Sequence, residues 1–481
     1  MTIKNSDITS IRSVLADLDP KSAANAAEPI SLHELYAPPS HSQALDFGRP
    51  LIVGNRGAGK SVWSGALADT KTRNEVAGLY PKLGLDRMVV ALGFHESAGQ
   101  VEGVAPSAKV LNALLNQNID AESIWTSVLI RAVAPDVGAK LPKSFMDVVR
   151  WTINDPEAGE SLLRKADQYY GREKKKFLLV FDALDRLANN WTAIRPLTEG
   201  ILRLSLNMFG FKNMHAKVFL RTDQEKDDAL FNFPDASKIR ALTVPLTWHA
   251  SELYGLLFNI LKNDAISKTA FKHYINEAIS LPVGDVDLND EAQQKSLFSL
   301  LAGEFMGVDH RRGRTYTWVI DHLADAFHET TPRSFLITLQ RAALARVKPK
   351  MTVIDHHGIR EGVQAASSIR VDQLGEDYPW IHEVLEDLEG LEVPCSPDNF
   401  TKRWKARGTV RRVKRITNRP GPIGLEEAKD PEFVLLESLK SIGVIEERSS
   451  DRINMPDLFR VAAKIKRRGG VRPPAAGNRH S

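Results

Sequence analysis

The sequence predicts an α/β fold: a three-layer domain around a parallel sheet, followed by a helical lid and a C-terminal winged-helix-like α+β domain. Two observations lead to this prediction. Short apolar runs typical of buried strands alternate with helix-forming segments between residues 31 and 262. The first run, Leu51 to Val53, leads directly into the glycine-rich string GNRGAGKS, from Gly54 to Ser61, and then into a helix-forming segment. A strand, a glycine-rich turn and a helix in this order indicate a phosphate-binding loop.

The string GNRGAGKS has the P-loop spacing, in which glycines let the backbone curl so that successive N–H groups point at phosphates. The sequence therefore predicts a P-loop ATPase domain that binds ATP and Mg²⁺. Lys60 is expected to reach the β and γ phosphates, and the Ser61 hydroxyl is expected to hold Mg²⁺. The predicted nucleotide-binding residues are Gly54, Asn55, Arg56, Gly57, Ala58, Gly59, Lys60 and Ser61.

Length and composition limit the class of protein. A chain of 481 residues is long for one core, and 43% hydrophobic with 26% charged residues is typical of soluble globular proteins with two or three domains. A net charge of +4 implies that any basic patch is local. The single cysteine, Cys395, excludes an internal disulfide framework. No apolar run is long enough to span a membrane, so we expect a cytoplasmic protein without membrane contact.

Changes in composition along the chain predict five segments. These are a mobile N-terminal arm over residues 1–30, the ATPase domain over 31–262, the helical lid over 263–350, the winged-helix-like domain with a basic run over 351–470, and a flexible tail over 471–481. The further strands predicted in the ATPase domain are Met88 to Phe94, Phe177 to Phe181, Ala216 to Leu220 and Ala241 to Leu246.

Polar residues follow two of these strands. Asp182 comes directly after the apolar run that ends at Phe181, at the strand end where ligands bind in open α/β sheets. We interpret Asp182 as the Walker-B aspartate, which binds Mg²⁺; the alternative is a helix-capping aspartate. The strand that ends at Leu220 is followed by Arg221, Thr222 and Asp223. Thr222 and Asp223 are candidates for sensing the γ-phosphate or positioning water, with Arg221 as a further candidate.

The strings GNRGAGKS, FLLVFDALDRL, KVFLRTD and TPRSFL, in this order, resemble the signature of AAA+-related and STAND ATPases. The DALDRL string is similar to the Walker-B region of STAND and KAP-type NTPases. The resemblance implies ATPase activity, and it makes Arg333 a sensor-2-like arginine that contacts the γ-phosphate from the lid; the alternative is a surface arginine. It also makes Arg240 a candidate arginine finger toward a neighbouring subunit.

The chain departs from the AAA+ pattern at the catalytic base. Ala183 stands where most AAA+ proteins place a glutamate directly after the Walker-B aspartate. Asp185, three residues after Asp182, is the first substitute, and Glu96, just beyond the Met88 to Phe94 strand, is the second. Alternatively, Asp185 caps a helix and Glu96 is a solvated loop acid. The resemblance therefore implies slow or conditional hydrolysis.

A basic run precedes the C-terminal end of the chain. Between Lys402 and Arg419 there are nine Lys or Arg residues and no acid, with Trp404 among them. The run can bind nucleic-acid phosphates, with Trp404 stacked on a base or buried in the protein. It can also be a solvated helix face or dock onto the acidic stretch over residues 371–390. The predicted DNA contacts are Arg411, Arg412, Lys414 and Arg415. The following helix, strand, turn, strand and helix pattern is typical of a winged helix.

Three function classes fit these patterns. The first is a regulatory ATPase whose nucleotide state controls homo-oligomerisation or an effector protein partner, by analogy with bacterial phage-defence ATPases. The alternative is a DNA-acting ATPase that resembles origin-binding or transposition-regulating AAA+ proteins. The third is a P-loop kinase, for which the sequence shows no arginine-rich lid around an acceptor pocket.

Overall fold

The computed structural model describes residues 3–18, 35–95, 104–188, 191–279, 287–416, 421–422, 424–448 and 451–469. These residues form two compact units. The sheet unit is built from the described residues within 35–268 and from 331–333, and the helical unit from 3–18 and the described residues within 269–330 and 334–469. Glu96, Arg419 and the predicted tail over 471–481 lie outside the described residues.

Helices and strands are numbered in chain order. The strands are β1 Leu51–Val53, β2 Met88–Phe94, β3 Lys176–Phe181, β4 Met214–Leu220, β5 Thr243–Pro245, β6 Glu392–Val393, β7 Glu446–Arg448, β8 Arg452–Asn454 and β9 Lys466–Arg467. The helices of the first half are α1 Asn5–Asp17, α2 Ser42–Leu45, α3 Lys60–Ala68, α4 Thr70–Leu79, α5 Ala108–Asn116, α6 Ala121–Val133, α7 Phe145–Asn154, α8 Pro156–Arg172, α9 Trp191–Asn207, α10 Thr222–Glu225 and α11 Ala236–Arg240. Those of the second half are α12 Ala250–Asn263, α13 Lys268–Ala278, α14 Glu291–Ala302, α15 Thr315–Leu323, α16 Pro332–Ala343, α17 His356–Asp377, α18 Trp380–Glu386, α19 Pro397–Arg407, α20 Thr409–Val413, α21 Pro431–Ser441 and α22 Asp457–Arg460.

The sheet unit contains the predicted five-stranded parallel sheet, in the order β2-β3-β4-β1-β5. β4 therefore lies between β1, which leads into the glycine-rich loop, and β3, which leads to Asp182. Val53 of β1 is opposite Leu220 of β4, and Phe94 of β2 is opposite Phe181 of β3. The carboxyl ends of these four strands consequently meet at one edge of the sheet, where an open α/β sheet binds its ligands.

The two faces of the sheet bury different sets of side chains, because successive residues of a strand point to opposite faces. In β3, Phe177, Leu179 and Phe181 belong to one buried cluster, while Leu178 and Val180 belong to the other. The first cluster is formed with α6 and α9 and the second with α3 and α4. The three-layer α/β architecture predicted from the sequence is confirmed.

The N-terminal segment differs from the mobile arm that the sequence predicts for residues 1–30. Its described part is helix α1, whose apolar residues Ile8, Ile11 and Leu15 recur at helical spacing and are buried in the helical unit. The Asp7 carboxylate lies 3.1 Å from Nδ1 of His273. The sequence prediction missed this helix because its three-residue and four-residue spacing covers only two turns within a polar, alanine-rich stretch.

The helical unit includes the predicted winged-helix-like pattern. β7 and β8 form an antiparallel pair, and Cys395, just after β6, makes an antiparallel bridge with Ile453 of β8. β6 also pairs in parallel with β9. Residues 269–330 and 334–469 fall in one unit, whereas the sequence predicts a boundary between lid and winged helix at residue 350. Across the described part of the chain, no helix is both long and apolar enough to cross a membrane.

Candidate nucleotide-binding site

The loop between β1 and α3 has the backbone of a phosphate cradle. Gly57 and Gly59 have φ values of 85° and 101°, a left-handed conformation that disfavours residues with a Cβ atom. The Gly54 N–H donates to the Leu220 carbonyl at 3.1 Å, which ties the start of the loop to the end of β4. Helix α3 begins at Lys60, so its positive end faces the loop. The eight residues from Gly54 to Ser61 thus form the turn that connects β1 to α3, and their binding of nucleotide stays a prediction.

Lys60 is held inside this loop by its carbonyl groups. Its Nζ donates to the carbonyls of Gly54 at 2.7 Å and Asn55 at 3.1 Å. Burial lowers the pKa of Lys60 to about 8, and the charge of Asp182 opposes this shift. The ammonium is therefore placed at the cradle and is costly to keep charged there without an anion.

Ser61 and Asp182 form the second part of the site. The Asp182 carboxylate is buried and accepts hydrogen bonds from the Ser61 hydroxyl and from the Ala183 N–H. Burial raises the pKa of Asp182, while these hydrogen bonds and the charge of Lys60 act in the opposite direction. A hydroxyl in contact with a carboxylate at a phosphate cradle fits Mg²⁺, which takes one or two protein ligands together with phosphate oxygens and water.

Ala183, which replaces the usual glutamate, has an unusual backbone conformation. Its φ of 55° and ψ of 42° place it in the left-handed region, which costs a residue with a Cβ atom about 1 kcal/mol. The chain then turns into a short 3-10 segment, Leu184–Arg186. Asp185 lies in this segment, half-buried, and its negative charge raises the pKa of both Lys60 and Asp182. Asp185 is consequently within electrostatic range of the site.

The tip of β4 contributes a further charged pair. The Arg221 guanidinium binds the Asp223 carboxylate through two hydrogen bonds, of 2.9 and 3.1 Å, and both side chains are mostly buried. Both charges act on the pKa of Lys60, Arg221 lowering it and Asp223 raising it. Thr222 is the first residue of α10. The strand tip therefore lies within electrostatic range of Lys60, and the role of Thr222 and Asp223 in sensing the γ-phosphate or positioning water stays a prediction.

Arg333 lies beside the phosphate loop within the sheet unit. A Cβ atom placed on Gly57 would come within 3.0 Å of the Arg333 Cβ and 3.4 Å of the Thr331 hydroxyl. Pro332 is the first residue of α16, as the sequence predicts, so Arg333 projects from the first turn. Gly57 is therefore needed both for its φ and for the space that Arg333 occupies. Arg240 is held at a different place, by Asp228 at 2.9 Å and over the ring of Phe231.

Two residues at the site were missed by the sequence-based predictions. The Trp248 indole donates to the Ala58 carbonyl at 2.8 Å and so braces the phosphate loop. His95 follows β2 directly, is buried, and its Nδ1 has no hydrogen-bond partner among the described residues. Burial lowers the pKa of His95, which favours the neutral imidazole. A histidine directly after a strand that neighbours β3 was the available signal; the candidate Glu96 is the first residue of an undescribed segment.

Trp404 and Arg412 of the basic run are not available to bind DNA, because both are engaged within the protein. Trp404 is fully buried and its indole donates to the Val384 carbonyl at 3.0 Å, so it is not free to stack on a base. Arg412 is bound by the carboxylates of Glu383 and Asp387, from the acidic stretch before it. The docking alternative is therefore correct for this arginine. Its partners are 29 and 25 residues earlier in the chain, so the charges of the basic run alone do not reveal this pairing.

The other three predicted DNA contacts are exposed. Arg411 and Arg415 have no ion pair within the described residues, and Lys414 lies 3.3 Å from the exposed carboxylate of Glu426. Lys405 of α19 is also exposed without an ion pair in the described part of the chain. Exposed cations thus occur along α19, along α20 and just after α20, but they are not the same set as the predicted DNA contacts.

The glycine-rich loop after β1, with β4 between β1 and β3, defines a P-loop NTPase fold. No protein-family model and no curated protein matches the chain. Similar solved structures include Cdc6p from Pyrobaculum aerophilum, with 12% identity over 86% of this chain and 84% of that chain and a TM-score of 0.29. The ORC2 protein of Aeropyrum pernix, solved as ADPNP and ADP complexes, has 12% identity over 89% and 96% and a TM-score of 0.31. ORC1 of Aeropyrum pernix, in complex with DNA, has 12% identity over 94% of each chain and a TM-score of 0.33. At these scores, the fold assignment rests on the strand order and the loop geometry.

Proposed function

We propose that the chain binds ATP with Mg²⁺ at the phosphate loop and hydrolyses it. The observation that carries this proposal is the meeting of Lys60, Ser61 and Asp182 at the carboxyl edge of the sheet. These three side chains are the cation, hydroxyl and carboxylate that triphosphate and metal binding require. The strand order puts the β4 tip next to them, where a third element can sense the γ-phosphate.

The proposed reaction is the transfer of the terminal phosphoryl group from ATP to water. Mg²⁺ would neutralise charge that develops on the phosphate oxygens, held by Ser61 and Asp182. Lys60 exchanges its bonds to the Gly54 and Asn55 carbonyls for phosphate oxygens. A carboxylate base orients the attacking water and accepts its proton as the bond from phosphorus to the leaving ADP oxygen breaks. Asp185 is the proposed base, because its charge acts on both Lys60 and Asp182.

The variant Asp185→Asn tests this base. We expect hydrolysis to fall by roughly a hundredfold, since general-base catalysis is worth about two to four orders of magnitude, while ATP binding stays within about twofold. Turnover is measured by phosphate release and binding by a fluorescent ATP analogue. His95→Gln and Glu96→Gln are the comparison variants. If either of them loses turnover while Asp185→Asn keeps it, the base lies beyond β2 instead.

Lys60→Ala should lose nucleotide binding, and its failure to do so would contradict the proposed function itself.

The nucleotide state is further proposed to control assembly or an effector protein. Arg333 supports this, since within the sheet unit it lies beside Gly57 of the phosphate loop, so closely that a Cβ atom on Gly57 would clash with it. Loss of the γ-phosphate would change what that arginine can bind. Particle size measured with ATP, ADP and no nucleotide tests the proposal. A role in phage defence stays an analogy.

A second candidate function is DNA binding by the helical unit. It is favoured by the exposed cations Lys405 of α19, Arg411 of α20 and Arg415 just after α20, and by the winged-helix-like strand pair of the same unit. Helix α21, which precedes β7, does not offer such a face. It carries Glu432 and Glu437, and its Lys440 binds Glu437 and Glu447. Contacts from α19 and α20 to the DNA phosphates are therefore favoured over the insertion of α21 into a DNA groove. ORC1, one of the similar structures, was solved with DNA.

The double variant Arg411→Gln/Arg415→Gln tests this candidate. We expect roughly tenfold weaker binding to a fluorescent duplex and a salt dependence reduced by about two in slope, because each phosphate contact releases about one counterion. Arg412→Gln is the informative comparison, since its guanidinium is already neutralised by Glu383 and Asp387. A wild-type protein that does not bind duplex DNA at low salt contradicts the candidate.

A further inference from the structure

Two exposed segments of the helical unit carry cations that no described acidic side chain neutralises. The first is a hairpin over residues 303–315, between α14 and α15. The second is a turn over residues 344–351, between α16 and α17. Neither segment belongs to the basic run over 402–419. We call the two segments together the hairpin–turn surface.

The hairpin is a well-braced element. Phe305 and Arg314 form an antiparallel bridge, and the Met306 N–H donates to the Gly313 carbonyl at 2.9 Å. Arg360 of α17 donates to the Met306 carbonyl at 3.0 Å, which anchors the hairpin to the helix behind it. Its tip is thus presented on a fixed base.

The tip combines an apolar residue with two free arginines. Val308 is fully exposed, and Arg311 and Arg312 are exposed without an ion pair in the described part of the chain. The Asp309 carboxylate makes no ion pair with either arginine among the described residues; it accepts the Arg311 backbone N–H at 2.9 Å. A Cβ atom on Gly307 would come within 2.8 Å of the Arg312 Cγ. The absence of a side chain at Gly307 therefore leaves room for the aliphatic part of the Arg312 side chain.

The turn has the same composition. Val347 and Met351 are 79% and 86% exposed, which is unusual for large apolar residues. Arg346, Lys348 and Lys350 alternate with them, are exposed, and have no ion pair among the described residues. No acidic residue occurs from 341 to 354. This turn therefore combines cations with exposed apolar side chains and contains no acidic residue that could form an ion pair with the cations.

Helix α1 fixes the shape of this turn. The Arg12 guanidinium donates to the carbonyls of Pro349, Thr352 and Val353, at 2.6, 2.8 and 2.8 Å. Three hydrogen bonds from one arginine to backbone carbonyls between residues 349 and 353 fix the path of the chain next to Lys348 and Lys350. Helix α1, which the sequence-based prediction missed, thus holds this turn in place through Arg12.

The hairpin and the turn start from neighbouring points of the helical unit. The backbone N–H groups of Val353 and Ile354 donate to the Leu301 carbonyl at 2.8 and 3.1 Å, and the hairpin begins two residues after Leu301. The two segments are therefore anchored at the same point of the helical unit.

We propose that the hairpin–turn surface binds the sugar–phosphate backbone of duplex DNA. The five cations that carry it are Arg311, Arg312, Arg346, Lys348 and Lys350. Exposed cations on a braced backbone suit the regular spacing of duplex phosphates, and exposed apolar side chains near cations, such as Val308 and Met351 here, occur in elements that enter a minor groove. An anionic lipid surface would use similar residues, but it favours an amphipathic helix over a short hairpin. The proposal shares a DNA partner with the second candidate function, but none of its residues.

The test compares three double variants of the full chain in binding to a fluorescent duplex over a range of salt. Arg311→Gln/Arg312→Gln and Lys348→Gln/Lys350→Gln remove charge from the hairpin and the turn. Arg150→Gln/Arg164→Gln is the matched control, with the same change in net charge at two exposed arginines of α7 and α8. We expect each surface variant to bind roughly tenfold more weakly, with a salt slope reduced by about two, and the control to match the wild type.

The outcomes separate this proposal from the others. If the wild type binds duplex and both surface variants bind equally well, the proposal is overturned while binding through α19 and α20 stands. If the wild type binds phosphatidylserine vesicles and not duplex, both DNA hypotheses are overturned. ATP turnover of the surface variants without DNA should equal that of the wild type, so a loss there would indicate misfolding. In that case, Lys348→Arg/Lys350→Arg, which keeps the charge, should restore binding if charge is what matters.

Discussion

Replacing Asp182 with asparagine is expected to lower Mg²⁺-dependent ATP hydrolysis by roughly a thousandfold, while ATP binding without the metal remains. The physical reason is the loss of a metal ligand. Charge stabilisation by a bound metal is worth several kcal/mol, and each 1.36 kcal/mol corresponds to about a factor of ten in rate. In the structure, the buried Asp182 carboxylate accepts a hydrogen bond from the Ser61 hydroxyl.

Loss of activity in Asp182→Asn is not expected to come from unfolding. Burial raises the pKa of Asp182, so the folded state holds its proton more tightly than the unfolded state does. This carboxyl therefore contributes stability at low pH that is lost as the pH rises through its folded pKa. The asparagine variant should melt no lower than the wild type at neutral pH. Asp86→Asn, at an exposed position of the same unit, is the matched control. Hydrolysis by Asp182→Asn within about tenfold of the wild type would contradict the metal assignment.

The affinity for ATP is expected to weaken as the pH rises above about 8. Burial lowers the pKa of Lys60 to about 8 in the free protein, and bound phosphates would favour its protonated form. Below pH 8 the lysine is already charged, so binding needs no proton. Above pH 8 binding must take one up, and the Kd for ATP should rise about tenfold per pH unit until the pKa of the complex is reached.

Calorimetry in buffers of different ionisation enthalpy measures both the Kd and the proton uptake. Lys60→Arg is the control, because a guanidinium stays protonated throughout this range and should give a flat profile whatever its affinity. The neighbours that act on Lys60, which are Asp182, Asp185, Arg221 and Asp223, are unchanged in that variant. A wild-type Kd that is constant between pH 7 and about 9.5 would show that Lys60 is not the titrating group.

Local pattern was sufficient for the sheet and for the centre of the site. β2 has the predicted ends, Met88 and Phe94, because its run of apolar residues and glycine is bounded by Arg87 and His95. The meeting of Asp182 with the phosphate loop followed from placing each at the end of a parallel strand. In both cases the information lies within a few consecutive residues, where spacing and polarity decide the structure.

Lys217 and Trp404 show where local pattern failed. Lys217 is fully buried inside β4, where its Nζ donates to the carbonyls of Asp46 at 2.9 Å and Arg49 at 2.7 Å, and burial lowers its pKa to about 7. Trp404 lies in a run of cations and yet is fully buried. The burial of each depends on a partner segment far along the chain, which polarity at the position itself does not reveal.

The sequence alone was enough to predict that this chain has a parallel sheet, a phosphate loop and a carboxylate at the next strand end, because each depends on neighbours in the chain. Only the tertiary structure decided which charges are free. Arg412 is neutralised by Glu383 and Asp387, whereas Arg311 and Lys348 have no ion pair within the described residues. The reason is physical: whether a charge is available to a partner depends on which side chains the fold brings near it, and those come from distant parts of the chain.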